Sequence, residues 1–156
     1  MGVLRAVGID FGEKRIGLAV CDDAGLLAVP FDVVKRVGDR SVEHGKILAL
    51  AVEVTAKYLV VGIPLHLDGS IGPAASSIAS EARGLRKRIR REGLDLEVVE
   101  HDERLSTVEA HRELARGGLN SRDRRELVDA SAAAVILQAW LEAQPAELRR
   151  QLPSDE

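Results

Sequence analysis

Residues 3–19 read Val-Leu-Arg-Ala-Val-Gly-Ile-Asp-Phe-Gly-Glu-Lys-Arg-Ile-Gly-Leu-Ala. Val3–Ile9 is mostly apolar and stops at Asp10. A second apolar run, Ile16–Cys21, follows after a short link that carries Gly12. Asp22-Asp23-Ala24-Gly25 is turn material, and Leu26–Phe31 is a third run. Short apolar runs separated by tight turns predict three consecutive antiparallel strands.

Outward from this meander the period changes. Ser41–Lys57 carries Ile47, Leu50, Ala51 and Val54, the spacing of a helix with one apolar face. Tyr58–Ile63 is continuously apolar, as a strand buried on both faces would be, and Pro64 ends it. Gly72–Arg91 returns to helical spacing through Ala75, Ile78, Ala79, Ala82, Leu85 and Ile89, and Gly93 closes it. Leu94–Val99 reads as a fifth strand. Ser106-Thr107-Val108-Glu109 matches a capping box, so a helix is expected to start there and to end at Gly117-Gly118. The last helix covers roughly Arg122–Leu141, with Val128, Ala132, Val135, Ile136, Ala139 and Trp140 as its buried side. The order is three strands, then two helix–strand units, then helices. It predicts an α/β fold: a mixed sheet with helices on both faces. One domain is expected over residues 1–144, followed by a polar tail over 145–156.

The composition narrows the function classes. The chain has 156 residues, 46% of them hydrophobic and 30% charged, enough for one proper core. The longest apolar runs fall well short of a membrane span, and the first residues do not resemble a signal peptide. Cys21 is the only cysteine, which excludes an intrachain disulfide and a cysteine zinc cage and fits a reducing, cytoplasmic setting. The four aromatics, Phe11, Phe31, Tyr58 and Trp140, are too few for a base-stacking platform. The net charge is −3, yet Arg83, Arg86, Lys87, Arg88, Arg90 and Arg91 lie close together with no acid among them. Such a run suits a phosphate backbone, and the competing reading is a solvated helix face.

Three acids stand at the ends of core elements. Asp10 closes the first strand, Glu103 follows the fifth beside Asp102, and Asp129 lies near the start of the last helix. Asp129, Ala133, Ile136 and Trp140 share a helix face, so Asp129 is expected to point toward the sheet. Ligand sites of such sheets lie outside the carboxyl ends of strands. Carboxylates converging there repel one another unless a cation lies between them. Oxygen donors without His or Cys favour Mg2+ or Mn2+ over zinc. Taken singly, each acid also has a plain reading: satisfying turn amides, facing solvent, or complementing a helix dipole.

Four stretches together resemble the YqgF/RuvX family. They are Gly8–Ala19; Val61-Gly62-Ile63-Pro64-Leu65-His66-Leu67-Asp68-Gly69-Ser70; Asp102-Glu103-Arg104-Leu105-Ser106-Thr107; and Asp129-Ala130 with Ala132–Gln138. Their order and spacing fit over about residues 1–142. The resemblance implies an RNase H-like fold with a five-stranded mixed sheet in the order 3-2-1-4-5. It implies a divalent-metal-dependent nuclease that matures the 5′ end of pre-16S rRNA, with Asp10, Glu103 and Asp129 as the catalytic, metal-binding triad. The alternative function is Holliday junction resolution, and a second alternative is a nucleic-acid-binding module without catalysis. Many RNase H-like nucleases carry a fourth carboxylate along the final helix. Here that position is Ala132 or Ala133, which leaves Asp102, Asp22 and Asp68 as substitutes.

Substrate contacts are expected from Lys14, Arg15, His66, Arg104, Arg86, Arg90 and Arg124. Lys14 and Arg15 compete with a reading as charged protection of a hairpin edge. His66 stands where the family often has Asn. For Arg104 the competing reading is an internal ion pair. An ATPase of the actin and Hsp70 type shares the strand-Asp-x-Gly motif, but it needs two such domains and this chain supplies one. The expected partner is nucleic acid, with no membrane, and the protein is expected to be a monomer or weak homodimer.

Overall fold

The computed structural model describes residues 5–22, 24–116 and 122–145. Ten elements follow in order: β1 (Ala6–Phe11), β2 (Arg15–Cys21), β3 (Ala28–Lys35), α1 (Arg40–Glu53), β4 (Tyr58–Ile63), α2 (Pro73–Glu92), β5 (Glu97–Asp102), a 3-10 turn (Glu103–Leu105), α3 (Val108–Arg116) and α4 (Arg122–Ala143). The strands form one mixed sheet in the order β3-β2-β1-β4-β5. β1 runs antiparallel to β2 and parallel to β4, and β4 runs parallel to β5. The expected topology and the helices on both faces are present. The tail over 146–156 and the Gly117-Gly118 stop lie outside the described residues.

Four boundaries differ from the sequence reading, each for a local reason. β1 extends through Asp10, which pairs with Gly17, so the acid stands within the strand. β3 starts later than Leu26, because the Asp22 carboxylate accepts from the Leu26 and Leu27 amides and holds them in a turn. α1 stops at Glu53 rather than Lys57, since Thr55 takes a positive φ of 54° and turns the chain. β5 is Glu97–Asp102 rather than Leu94–Val99, because the Leu94 amide is bonded to Ile89 O, closing α2 past the left-handed Gly93. The strand therefore delivers Glu103 directly at its carboxyl end.

The helix starts where the capping box predicts and the Val108 amide reaches Ser106 Oγ at 3.4 Å, but Glu109 does not close the box. α3 begins at Val108, and the His111 amide bonds to Thr107 O. Glu109 turns outward to Arg112, while the Ser106 hydroxyl donates to Glu103 O.

Alternation along the strands separates two cores. Val7, Ile9, Phe11, Ile16, Leu18, Leu59 and Val61 face α1 and α2. Ala6, Ala19 and Val60 face α4, against Ala132, Ala133, Ile136, Leu137, Trp140 and Leu141. Val128, Val135 and Ala139, expected in the buried side of α4, are only half-buried. The α4 side of the sheet is built from small residues. A Cβ at Gly8 would come within 2.7 Å of Ala133 O, and one at Gly17 would land on the Asp129 carbonyl. α4 thus lies backbone-close on β1 and β2, which sets the height of Asp129 over the sheet. Gly17→Ala is expected to destabilise the fold by about 3 kcal/mol, as overpacking against rigid backbone does. Urea unfolding checks it, and a loss under 1 kcal/mol would contradict this packing.

The opposite face holds a buried charged cluster. Arg36 reaches Glu43 at 2.9 Å and Glu81 at 2.5 Å, and His44 Nε2 lies 2.8 Å from Glu81. Glu43 and Glu81 are each 2% exposed. Arg36 also donates to Gly12 O, and its own amide bonds to Lys14 O. The cluster therefore anchors the β1–β2 turn from behind.

Candidate active site

Parity and register assemble one corner of the molecule. Ala6, Gly8 and Asp10 alternate onto the α4 side of β1, as do Arg15, Gly17 and Ala19 on β2. On β4 the same side carries Gly62, and a Cβ there would meet Glu103 Oε2 at 2.7 Å. The missing side chain at Gly62 is what gives Glu103 its place. Ile63 pairs with Asp102, so Glu103 follows at the carboxyl end of the sheet, and its carboxylate lies back over Gly62, beside Asp10.

Asp10 and Glu103 are only 7% and 8% exposed, and one guanidinium serves both. Arg112 Nη2 donates to Asp10 Oδ1 at 2.5 Å, and Nη1 donates to Glu103 Oε1 at 2.9 Å. Nη1 also reaches Glu109 Oε2 at 3.1 Å. Arg112 comes from α3 and was not among the expected site residues. Its place in the sequence gives little sign of this role; only the i,i+3 spacing from Glu109 hints at an ion pair.

Asp129 is held separately, with Oδ2 accepting from Arg15 Nε at 2.7 Å. The structure therefore brings Asp10 and Glu103 together on one cation and turns Asp129 to another. Among the described residues, no group of three or more His, Cys, Asp or Glu is gathered as a ready metal cage. Ala132 and Ala133 are fully buried against the sheet, so no acid stands at the fourth position. The proposed substitutes lie elsewhere. Asp22 is at the opposite end of β2, Asp68 accepts from its own turn at Ser70, and Asp102 is held by Arg104.

The electrostatics follow from burial. Desolvation raises the Asp10 pKa to about 6, with Glu103 and Asp129 pushing the same way and Arg112 opposing them. The buried carboxylates in turn hold Arg112 more firmly charged than usual, despite its own desolvation. Burial lowers the His101 pKa, so this neighbour on the same face of β5 adds no positive charge at neutral pH. Arg112 is thus the cation that the Asp10–Glu103 pair depends on.

The expected substrate contacts fall into distinct places. Lys14 is exposed in the β1–β2 turn beside the site. Arg15 is committed to Asp129. Arg104 is bidentate to Asp102 and donates to Leu67 O, the internal ion pair of the competing reading. His66 is exposed, and its ring lies over Gly72. Arg86 pairs with Glu100 and donates to Val98 O. α2 leads from the carboxyl end of β4 back to the amino end of β5, so Arg90 lies about 25 Å of helix rise from Pro73. The arginine-rich run is therefore not brought to the carboxylates. The Arg124 side chain lies outside the described ones.

Comparison with known proteins shows the family and the fold. The family model described as "RuvX: Holliday junction resolvase" matches residues 4–143. A Syntrophus aciditrophicus protein named "Putative pre-16S rRNA nuclease" is 39% identical over 97% of this chain and 95% of its own. Proteins of the same name from Nocardia farcinica and Mycobacterium tuberculosis are 38% and 39% identical, over 93% and 88% of this chain and 81% and 78% of theirs. Among solved structures, T. thermophilus RuvC in complex with Holliday junction substrate superposes with a TM-score of 0.56 at 19% identity. That match covers 90% of this chain and 94% of that one, and the shared architecture is the RNase H-like fold.

Proposed function

The chain belongs to the RuvX family, and on that premise we propose that it is a nuclease that hydrolyses phosphodiester bonds at the 5′ end of pre-16S rRNA. The observation that carries the reading is the pair of buried carboxylates, Asp10 and Glu103, converging on a single cation at the carboxyl end of the sheet. The names of its relatives supply the substrate class.

Mg2+ or Mn2+ suits these residues. Two hard oxygen donors already share one positive group, and Asp129 stands on the adjoining helix with an oxygen to offer. Asp10 and Glu103 would hold the ion, with Asp129 joining them on leaving Arg15. When bound, the ion would supply Lewis-acid stabilisation of the charge that builds on the phosphodiester. The chain's own contribution is to hold both carboxylates out of water and in fixed positions, through Gly62 and the β1–β2 pairing. Lys14 offers an exposed ammonium to a phosphate at the site edge, and released Arg15 offers a guanidinium. The exposed Arg83, Lys87, Arg90 and Arg91 would grip a long, structured substrate at a distance, giving salt-dependent affinity without sequence choice.

The second reading, Holliday junction resolution, is favoured by the description of the family model. It requires a symmetric dimer that presents two sites to opposed strands, whereas rRNA processing suits a monomer or weak homodimer. Among the described residues no helix is long and apolar enough to cross a membrane. The one cysteine and the substrate both support a cytoplasmic setting.

The test is a cleavage assay on a pre-16S rRNA 5′ leader and a four-way DNA junction, each with Mg2+, Mn2+ or EDTA. Cutting of the leader that EDTA stops is the expected result. Cutting of the junction alone would move the protein to the resolvase reading. Binding of both substrates without cutting would leave a binding module.

A further inference from the structure

Arg112 does more than complete an ion pair. It presents two N–H groups to Asp10 and Glu103 in the place where two buried like charges need a cation. Its side chain is 15% exposed, so it fills that place rather than covering it. A guanidinium and a divalent cation cannot both lie between the same two carboxylates. Arg112 also has somewhere to go. Glu109, one turn earlier on α3 and 64% exposed, already accepts from the same Nη1 that serves Glu103.

From this geometry we infer that Arg112 is an exchangeable internal counter-ion. It neutralises Asp10 and Glu103 in the metal-free protein and is displaced onto Glu109 when a divalent cation binds. The inference rests on the reading of Asp10 and Glu103 as metal ligands. It assigns to Arg112 the control of cation affinity. Without the arginine, the carboxylates would be two uncompensated buried charges. With it they are paired and held in place, but each binding event must expel a resident positive charge. The site is therefore tuned to weak cation binding until something else draws the arginine away. The phosphate of a bound substrate, with charged oxygens that pair with guanidinium, is the chemistry suited to do so.

The test measures Mn2+ binding by calorimetry on wild type, Arg112→Gln and Asp10→Asn, with no substrate present. Arg112→Gln removes the competing charge and should bind Mn2+ about tenfold tighter or more. It should also melt lower than wild type without metal, and gain more from added Mn2+. Because Arg112→Gln risks poor folding, the wild type is followed as well, by the side-chain Nε–Hε NMR signal of Arg112, assigned by its loss in Arg112→Lys. That signal should move as Mg2+ is titrated. Unchanged or weaker Mn2+ affinity in Arg112→Gln, or an Arg112 signal indifferent to bound Mg2+, overturns the exchange and leaves the metal reading standing. No Mn2+ bound by wild type or Arg112→Gln would bring down the metal reading and this inference with it.

Discussion

Asp10→Asn is expected to lower metal-dependent cleavage by more than about 100-fold, beyond what losing an outer-sphere partner of a metal site costs. The same substitution is expected to make the metal-free protein more stable at pH 8. Burial lifts the Asp10 pKa from 3.8 to about 6, so the folded protein disfavours the ionised carboxylate. The sign follows from proton binding. Between those two values the folded state holds a proton that the unfolded state has released, so stability falls as pH rises. A shift of that size corresponds to about 3 kcal/mol, fully lost above pH 6. Asparagine carries no charge to desolvate, and its Oδ1 still accepts from Arg112. A gain of about 1–3 kcal/mol is therefore expected at pH 8, shrinking toward zero near pH 4. Thermal melts of both proteins at the two pH values check this. A lower melting temperature for Asp10→Asn at pH 8, or a gain that ignores pH, would contradict the picture of a carboxylate held at a cost to the fold. Sites of this kind commonly sacrifice stability for activity.

Glu81→Gln is expected to have the larger effect on the fold. Glu81 is buried behind the sheet, where Arg36 and His44 bond its oxygens and Arg40 approaches at 3.6 Å. These partners pull its pKa down to about 2 against the opposing effect of burial. A glutamine of the same shape leaves Arg36 with a buried, half-compensated charge. Breaking a buried pair in this way costs about 3–5 kcal/mol, a fall of roughly 10 °C in melting temperature for a domain of this size. The depressed pKa gives a second signature. Its stabilisation is present above the ordinary carboxylate value of 4.5 and is lost as pH falls from there toward 2. Wild type should therefore lose stability over that acid range more steeply than Glu81→Gln. Urea unfolding at pH 7 and pH 3 measures both. A loss under 1 kcal/mol at pH 7 would mean the cluster is not what holds the Arg36–Gly12 anchor in place.

Local rules made much of this protein readable. Short apolar runs bounded by turns marked β1, β2 and β4, and helical spacing marked α1, α2 and α4, because each pattern records which faces meet a core. The same rules placed Asp10 and Glu103 at strand ends. They misjudged β3 and β5 by a few residues, since the Asp22 turn and the closure of α2 at Leu94 depend on a few local hydrogen bonds that periodicity does not record. The basic run of α2 looked like a substrate surface by composition. Composition carries no information on which end of the sheet a helix terminus reaches, and the crossover sends Arg90 to the far end.

The sequence by itself determined the class of fold and the acids that stand near the ends of core elements, which depend on short-range periodicity and fixed spacing. The strand order came only through the resemblance of its four motifs to the RuvX family. Only the tertiary structure decided what those acids touch. Arg112 lies 102 residues from Asp10, and Arg15 lies 114 from Asp129. Such pairs form because α4 packs at a particular height over Gly8, Gly17 and Gly62, and α3 packs on α4. Ion pairing falls off over a few ångströms, while the height of a helix above a sheet is the sum of every contact beneath it.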